Sequence, residues 1–245
     1  MAHITIERED IALDDPVLVE GLPGLGLVGK IAADHLVERF EMPVYASCHC
    51  DGLPELAVYD SDGYGIEPPV RIHADEQRDL LVLQSDIPIS PSAARSFAGC
   101  VTGWLVEEGV LPIYVSGTER DGDETTEVFG VATGDAGGQF DALEVGPPEE
   151  RGVVSGPTGA LLYQADQQEL DSLGAVVEAS PQFPDPAAAK VLLERVVEPV
   201  ADVTVDTEAL VDKAKEISAA KERLARQMQN ADDEGSRAEP LGMYQ

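Results

Sequence analysis

Apolar and polar positions along the chain follow two periods, and each predicts an element type. "PVLVEG" (16–21) is a short apolar run closed by glycine and predicts a strand. Val28, Ile31, Ala32, His35 and Leu36 recur at helical spacing and predict a helix over 27–40. "PVYASCHC" (43–50) predicts a second strand, closed by Asp51-Gly52. Residues 55–60 and 65–74 predict antiparallel or edge strands, because Pro68 and Pro69 cannot donate to a central ladder. "DLLVLQSD" (79–86) has the continuous apolar centre of a strand buried on both faces.

The alternation continues beyond it. Residues 88–109 predict a helix with Ser90 at the N-cap and Pro91 at the first helical position. Strands are predicted at 110–118, 126–133 and 173–180, a loop then a helix over 156–170, and a helix over 185–200 opened by Pro186. Residues 119–150 are polar and glycine-rich, with no clear period outside 126–133. Strands alternating with helices predict one three-layer α/β/α domain over residues 1–200, with a mostly parallel mixed sheet. Residues 201–230 follow as an amphipathic helical segment, in which Leu210, Ile217 and Leu224 are seven apart. Three such positions are too few for a coiled coil and predict a helix packed on the domain or on a neighbouring subunit. Residues 231–245 are polar, unpatterned, and read as a flexible tail.

Composition narrows the function classes. At 43% hydrophobic, the chain of 245 residues can bury a substantial core. With 16 basic and 47 acidic residues its formal net charge is −31. That excludes nucleic acid, whose phosphates need clustered Lys and Arg, and disfavours anionic membrane surfaces. No run of about 18 apolar residues occurs, so no membrane span is expected. The N-terminus lacks the basic-then-apolar pattern of a signal peptide. Three cysteines without framework spacing suit a reducing cytoplasm. Acids spread along the whole length resemble cytoplasmic proteins of extreme halophiles, where salt screens self-repulsion.

The candidate chemistry begins at "GLPGLGLVGK" (21–30). Gly24, Gly26 and Gly29 fit the dinucleotide fingerprint G-x-G-x-x-G, with Asp51 near the place of a ribose-binding acid. Gly24, Gly29 and Lys30 almost fit a P-loop, but Ile31 stands where Ser or Thr would hold Mg²⁺. Alternatively, the glycines permit a tight turn and close helix–strand packing without a ligand. Asp86 ends a buried strand, where α/β folds place their sites, and Ser116, Ser155 and Thr158 could share that rim. This set lacks a histidine partner and a G-x-S-x-G elbow, so no catalytic residue is assigned. In "CHC" (48–50) a strand puts Cys48 and Cys50 on one face and His49 on the other, which favours buried structural cysteines over a metal site. No metal and no cofactor is expected. Trp104 is at helical spacing with Cys100, Val101 and Leu105 and reads as core or subunit contact.

Four segments carry a resemblance. "EGLPGLGLVGKIAADHL" (20–36), "DLLVLQSDIPISP" (79–91), "VSGPTGALL" and "AVVEASPQFPDPAAAKVLLERV" (175–196) are together similar to the PAC2 family of proteasome assembly chaperone 2-like proteins. The resemblance implies an α/β/α fold like phosphorylase/hydrolase domains, and a role in binding proteasome subunits. Some relatives were grouped with ATP-grasp enzymes, so a nucleotide- or nucleoside-binding enzyme using the loop 21–30 is the alternative. Met243-Tyr244-Gln245 fits hydrophobic–tyrosine–any residue, which in proteasome activators docks between α-subunits of the 20S particle. A tyrosine offers a rigid ring with one directed hydroxyl, and a terminal carboxylate can pair with a pocket lysine. An interaction protein, homo-oligomeric and partnered with 20S α-subunits, is the expected reading.

Overall fold

The computed structural model describes residues 3–59, 64–120, 125–181 and 184–212. The helix expected to continue to residue 230, the tail 231–245 and Met243, Tyr244 and Gln245 lie outside the described residues. In chain order the elements are β1 (His3–Ile6), β2 (Val17–Gly21), α1 (Val28–Arg39), β3 (Val44–His49), β4 (Val58–Tyr59), β5 (Ile66–Glu67), β6 (Val70–Asp75) and β7 (Leu80–Ser85). Then come α2 (Ala94–Glu108), β8 (Leu111–Glu119), β9 (Val128–Thr133), α3 (Gly137–Ala142), α4 (Gly156–Gln167), β10 (Ser172–Ala179), α5 (Pro186–Leu192) and α6 (Glu198–Ala201). A π-helical stretch, Leu193–Val197, joins the last two.

Eight strands form one mixed sheet in the order β1-β3-β6-β7-β2-β8-β10-β9. β7, β2, β8 and β10 are parallel neighbours at its centre. β9 closes one side antiparallel, and β6, β3 and β1 extend the other in alternating directions. β2 and β7 are buried at every position because helices cover both faces. The connection after β2 runs one way along the sheet and the connection after β7 the other. A right-handed crossover therefore sends α1 and α2 to opposite faces. Two cores result: α1 and α5 close one over Val17, Val19 and Val82, and α2 and α4 close the other over Leu18, Leu81 and Tyr114.

The prolines split the expected strand 65–74 into β5 and β6. β6 is antiparallel, as expected, but stands inside the sheet between β3 and β7, with Pro68 and Pro69 just before it. Ser90 caps the turn leading into α2, its Oγ accepting from the Ala93 amide at 3.2 Å. Of the segment expected to be helical from 201, residues 203–207 are not helical; a helix begins at 208, and Leu210 is fully buried in the α1–α5 core. Two elements were not expected from sequence, β1 and α3. β1 is four residues followed by the charged run Glu7–Asp10, and α3 opens on two glycines, so neither shows a clear period.

One expectation is corrected. Cys50 and Cys100 form a disulfide, with Cα atoms 5.9 Å apart, rather than remaining free thiols. They are 50 residues apart, and only the packing of α2 against the end of β3 brings them together. Cys48 is free and buried.

Candidate functional site

The parallel strands β7, β2, β8 and β10 end at one rim, and the connections after β2 and β7 diverge there. Open α/β sheets favour ligands at such a point. The structure gathers Gly24, Gly26, Gly29, Lys30 and Asp86 at this rim. Leu25–Leu27 make a single 3₁₀ turn before α1. Gly26 has φ +65°, a left-handed conformation that costs glycine little.

Protein atoms fill the space these glycines leave. A Cβ on Gly26 would stand 2.7 Å from Ala179 Cβ, and one on Gly29 3.0 Å from the Glu20 carbonyl and 3.2 Å from Val115 Cβ. A Cβ on Gly21 would collide with Ala33. The Gly26 carbonyl accepts from the Asp185 amide at 2.8 Å, tying the loop to the start of α5. Gly24 alone of the three fingerprint glycines faces open space. The geometry thus accounts for Gly26 and Gly29 by helix–strand contact.

Lys30 is engaged by carboxylates. Its Nζ is 2.9 Å from Asp34 Oδ1 and 3.7 Å from Asp86 Oδ1. Arg71 Nη1 donates to Asp86 Oδ2 at 2.5 Å, and Arg71 Nε is 3.2 Å from Glu67 Oε2. Asp34 also accepts from Gln84 Nε2 at 2.7 Å, and Gln84 Oε1 is 3.1 Å from His73 Nε2. Burial holds His73 below the usual imidazole range. Two cations here meet three carboxylates, a poor balance for binding phosphate. Asp86 is therefore the centre of an ion-pair cluster.

The residue that sequence reasoning missed is Glu20. It is fully buried on β2, facing α4. Its Oε2 accepts from the Val115 amide at 2.9 Å and its Oε1 from Thr158 Oγ1 at 2.7 Å. Burial pushes its carboxyl up to about 7, against the pull of these two bonds. Thr158, the rim candidate, is thus committed to Glu20 and pins the first turn of α4 to the sheet. Ser155 stands at the N-cap of α4 but makes no capping bond.

The other candidates separate. His49 is exposed while Cys48 and Cys50 are buried, as strand alternation requires. Burial pushes the Cys48 thiol up to about 12, which leaves it without nucleophilic thiolate at neutral pH. Among the described residues no three His, Cys, Asp or Glu side chains converge as metal ligands. Trp104 is buried in the α2–α4 core. No helix among the described residues is long and apolar enough to cross a membrane.

Away from the rim, a two-stranded ribbon, β4–β5, stands apart from the main sheet. A hollow of about 450 Å³ borders it beside Cys50, Leu53 and Pro69. Another, of about 480 Å³, lies between Val58, Tyr59, Ile66 and the Arg71–Asp86 pair.

Comparison with known proteins gives four findings. The PAC2 family profile matches residues 18–225. An uncharacterized protein of Methanocaldococcus jannaschii, MJ0106, is 28% identical over 223 residues, 91% of this chain and 90% of that one. Among solved structures, Pyrococcus furiosus PbaA, described as an archaeal homolog of proteasome-assembly chaperone, superposes with a TM-score of 0.77 at 23% identity, covering 96% of this chain and 97% of that one. P. furiosus PbaB, described as an archaeal proteasome activator, gives 0.73 at 24% identity over 93% and 98%. The α/β fold is therefore shared with both.

Proposed function

The chain belongs to the PAC2 family, and from that premise we propose that it is a proteasome-associated assembly chaperone or adaptor that docks its C-terminal tail on the 20S α-ring. One observation carries the reading: a PAC2 region over 18–225 is followed by a polar segment ending in Met243-Tyr244-Gln245. The fold likeness to PbaA and PbaB, whose descriptions name proteasome assembly and activation, supports it.

The chemistry of docking is direct. Tyr244 offers a ring and one hydroxyl, Gln245 the terminal carboxylate for a pocket lysine, and Met243 a pliable apolar side chain. A homo-oligomer presents several tails at once, so weak contacts add through effective concentration. On this reading the protein works in the cytoplasm of a salt-rich cell, where its charge is screened and where the buried-core side of α2 shelters the Cys50–Cys100 bond from reductant.

Deleting Met243–Gln245, or extending the chain beyond Gln245, removes capture of 20S particles by micromolar protein in molar salt. Unchanged capture by the truncated protein overturns the reading. A small ligand at Gly24, Gly26, Gly29, Lys30 and Asp86 stands second, favoured by the position of the loop where the strand connections diverge. Calorimetry with ATP, NAD and nucleosides tests it: tight binding lost on Lys30→Ala supports a ligand site.

A further inference from the structure

We infer that the β4–β5 ribbon is a second docking surface, for a protein partner that offers apolar side chains ringed by lysines and arginines. Taking the 20S particle as that partner rests on the function proposed above; the surface itself is argued from the fold.

Seven large hydrophobic side chains are exposed among the described residues, and four of them fall between 56 and 66. Leu56 is 54% exposed, Tyr59 82% and Ile66 72%, and Tyr64 is fully exposed. The two strands have two residues each and pair only with one another. A two-stranded ribbon of this kind is marginal in water without a covering surface. Clustered exposed apolar groups on a folded protein mark interaction sites, and tyrosine is enriched at interface cores.

The ribbon is nevertheless held at both roots. The chain leaves β3 at Cys50, which is bonded to Cys100 of α2. The Asp51 carbonyl accepts from Ser96 Oγ at 2.6 Å, on the same helix. On return, Glu67 pairs with Arg71, which is anchored on Asp86. Fixed roots reduce the ordering cost of binding. Hollows of about 450 and 480 Å³ flank the ribbon, each large enough for side chains of a partner.

Charge decides the occupant. The described residues of this excursion, 51–59 and 64–69, carry Asp51, Glu55 and Glu67 and no lysine or arginine. A second copy would set the same carboxylates of the ribbon against one another at contact range, where salt screens least, and like charges there cost affinity. A partner with an apolar centre and a basic rim complements the ribbon in both respects.

The test uses the full chain and purified 20S particles in molar salt. Tyr59→Ser with Ile66→Thr changes two exposed side chains, so the fold and thermal midpoint should hold, and circular dichroism checks this. With the tail intact, this variant should bind at least 10-fold more weakly than wild type. Glu55→Lys, which leaves the apolar groups in place and sets a like charge against the partner's basic rim at contact range, should also weaken binding. Wild-type affinity in both variants overturns the inference while the tail reading stands. Weakened binding by the ribbon variants, with no effect of tail deletion, upholds the inference and removes the tail reading. A ribbon variant that falls to a smaller oligomer by sedimentation assigns the surface to a second copy and overturns the inference. Absence of binding by wild type removes both.

Discussion

Glu20 shows how much one buried group can set. Its carboxyl is held near pH 7 in the folded chain, above the ordinary 4.5. Between these values the folded state keeps a proton that the unfolded chain has released. Its contribution to stability is complete below pH 4.5 and is lost as pH rises through 7, about 3 kcal/mol in all. Glu20→Gln mimics the protonated acid, with an oxygen for the Val115 amide and an amide nitrogen for Thr158 Oγ1. The expected outcome is a thermal midpoint that changes less between pH 5 and pH 8 than in wild type, with the variant the more stable at pH 8. A larger change in the variant would rule out this account. Nothing in the sequence flags Glu20, because a glutamate beside a glycine at a strand end looks like a surface residue. Its partner Thr158 is 138 residues away.

At the scale of elements, the glycine loop joins β2 to α1 by close approach. Gly21→Ala would press a methyl group into Ala33 and the Leu83 carbonyl, and overpacking of this kind costs about 1–3 kcal/mol. Gly24→Ala enters open space and should cost less than about 1 kcal/mol. Denaturant midpoints of the two variants separate a packing role from a ligand role: near-equal midpoints would contradict the packing account. The loop between a strand and a helix was legible because its glycines interrupt two clear periods. Which glycine touches what was not, because the contacts come from β8, β10 and α5. The buried strands β2 and β7 were legible for the same reason that they are central: their runs Val17–Val19 and Leu80–Leu83 are apolar without alternation, and the polar Glu20, Gln84 and Ser85 come only at their ends. β1 is not legible, because four residues of alternating exposure at an edge leave little pattern. The Lys30–Asp86–Arg71 cluster was half legible. Lys30 and Asp86 stand at positions that α/β folds give to sites, whereas Arg71 stands just beyond the proline pair and shares no motif with them.

Across the whole molecule, the net charge of −31 opposes compaction. In dilute buffer the Debye length reaches about 30 Å at 0.01 M, so carboxylates repel across the domain, whereas at 1 M it is about 3 Å. The thermal midpoint should rise steeply with KCl, and circular dichroism should show loss of structure after desalting. Full retention of structure without salt would contradict the expectation drawn from composition. The Cys50–Cys100 bond works in the other direction, since closing a loop of this length is worth about 2–4 kcal/mol. It also leaves a signature in limited proteolysis. A single nick in the ribbon cuts the polypeptide inside the loop that the bond closes, so both fragments should migrate as one band on a non-reducing gel. Adding dithiothreitol should release them as two, which makes electrophoresis a simple readout of when that stretch of chain is shielded from a protease.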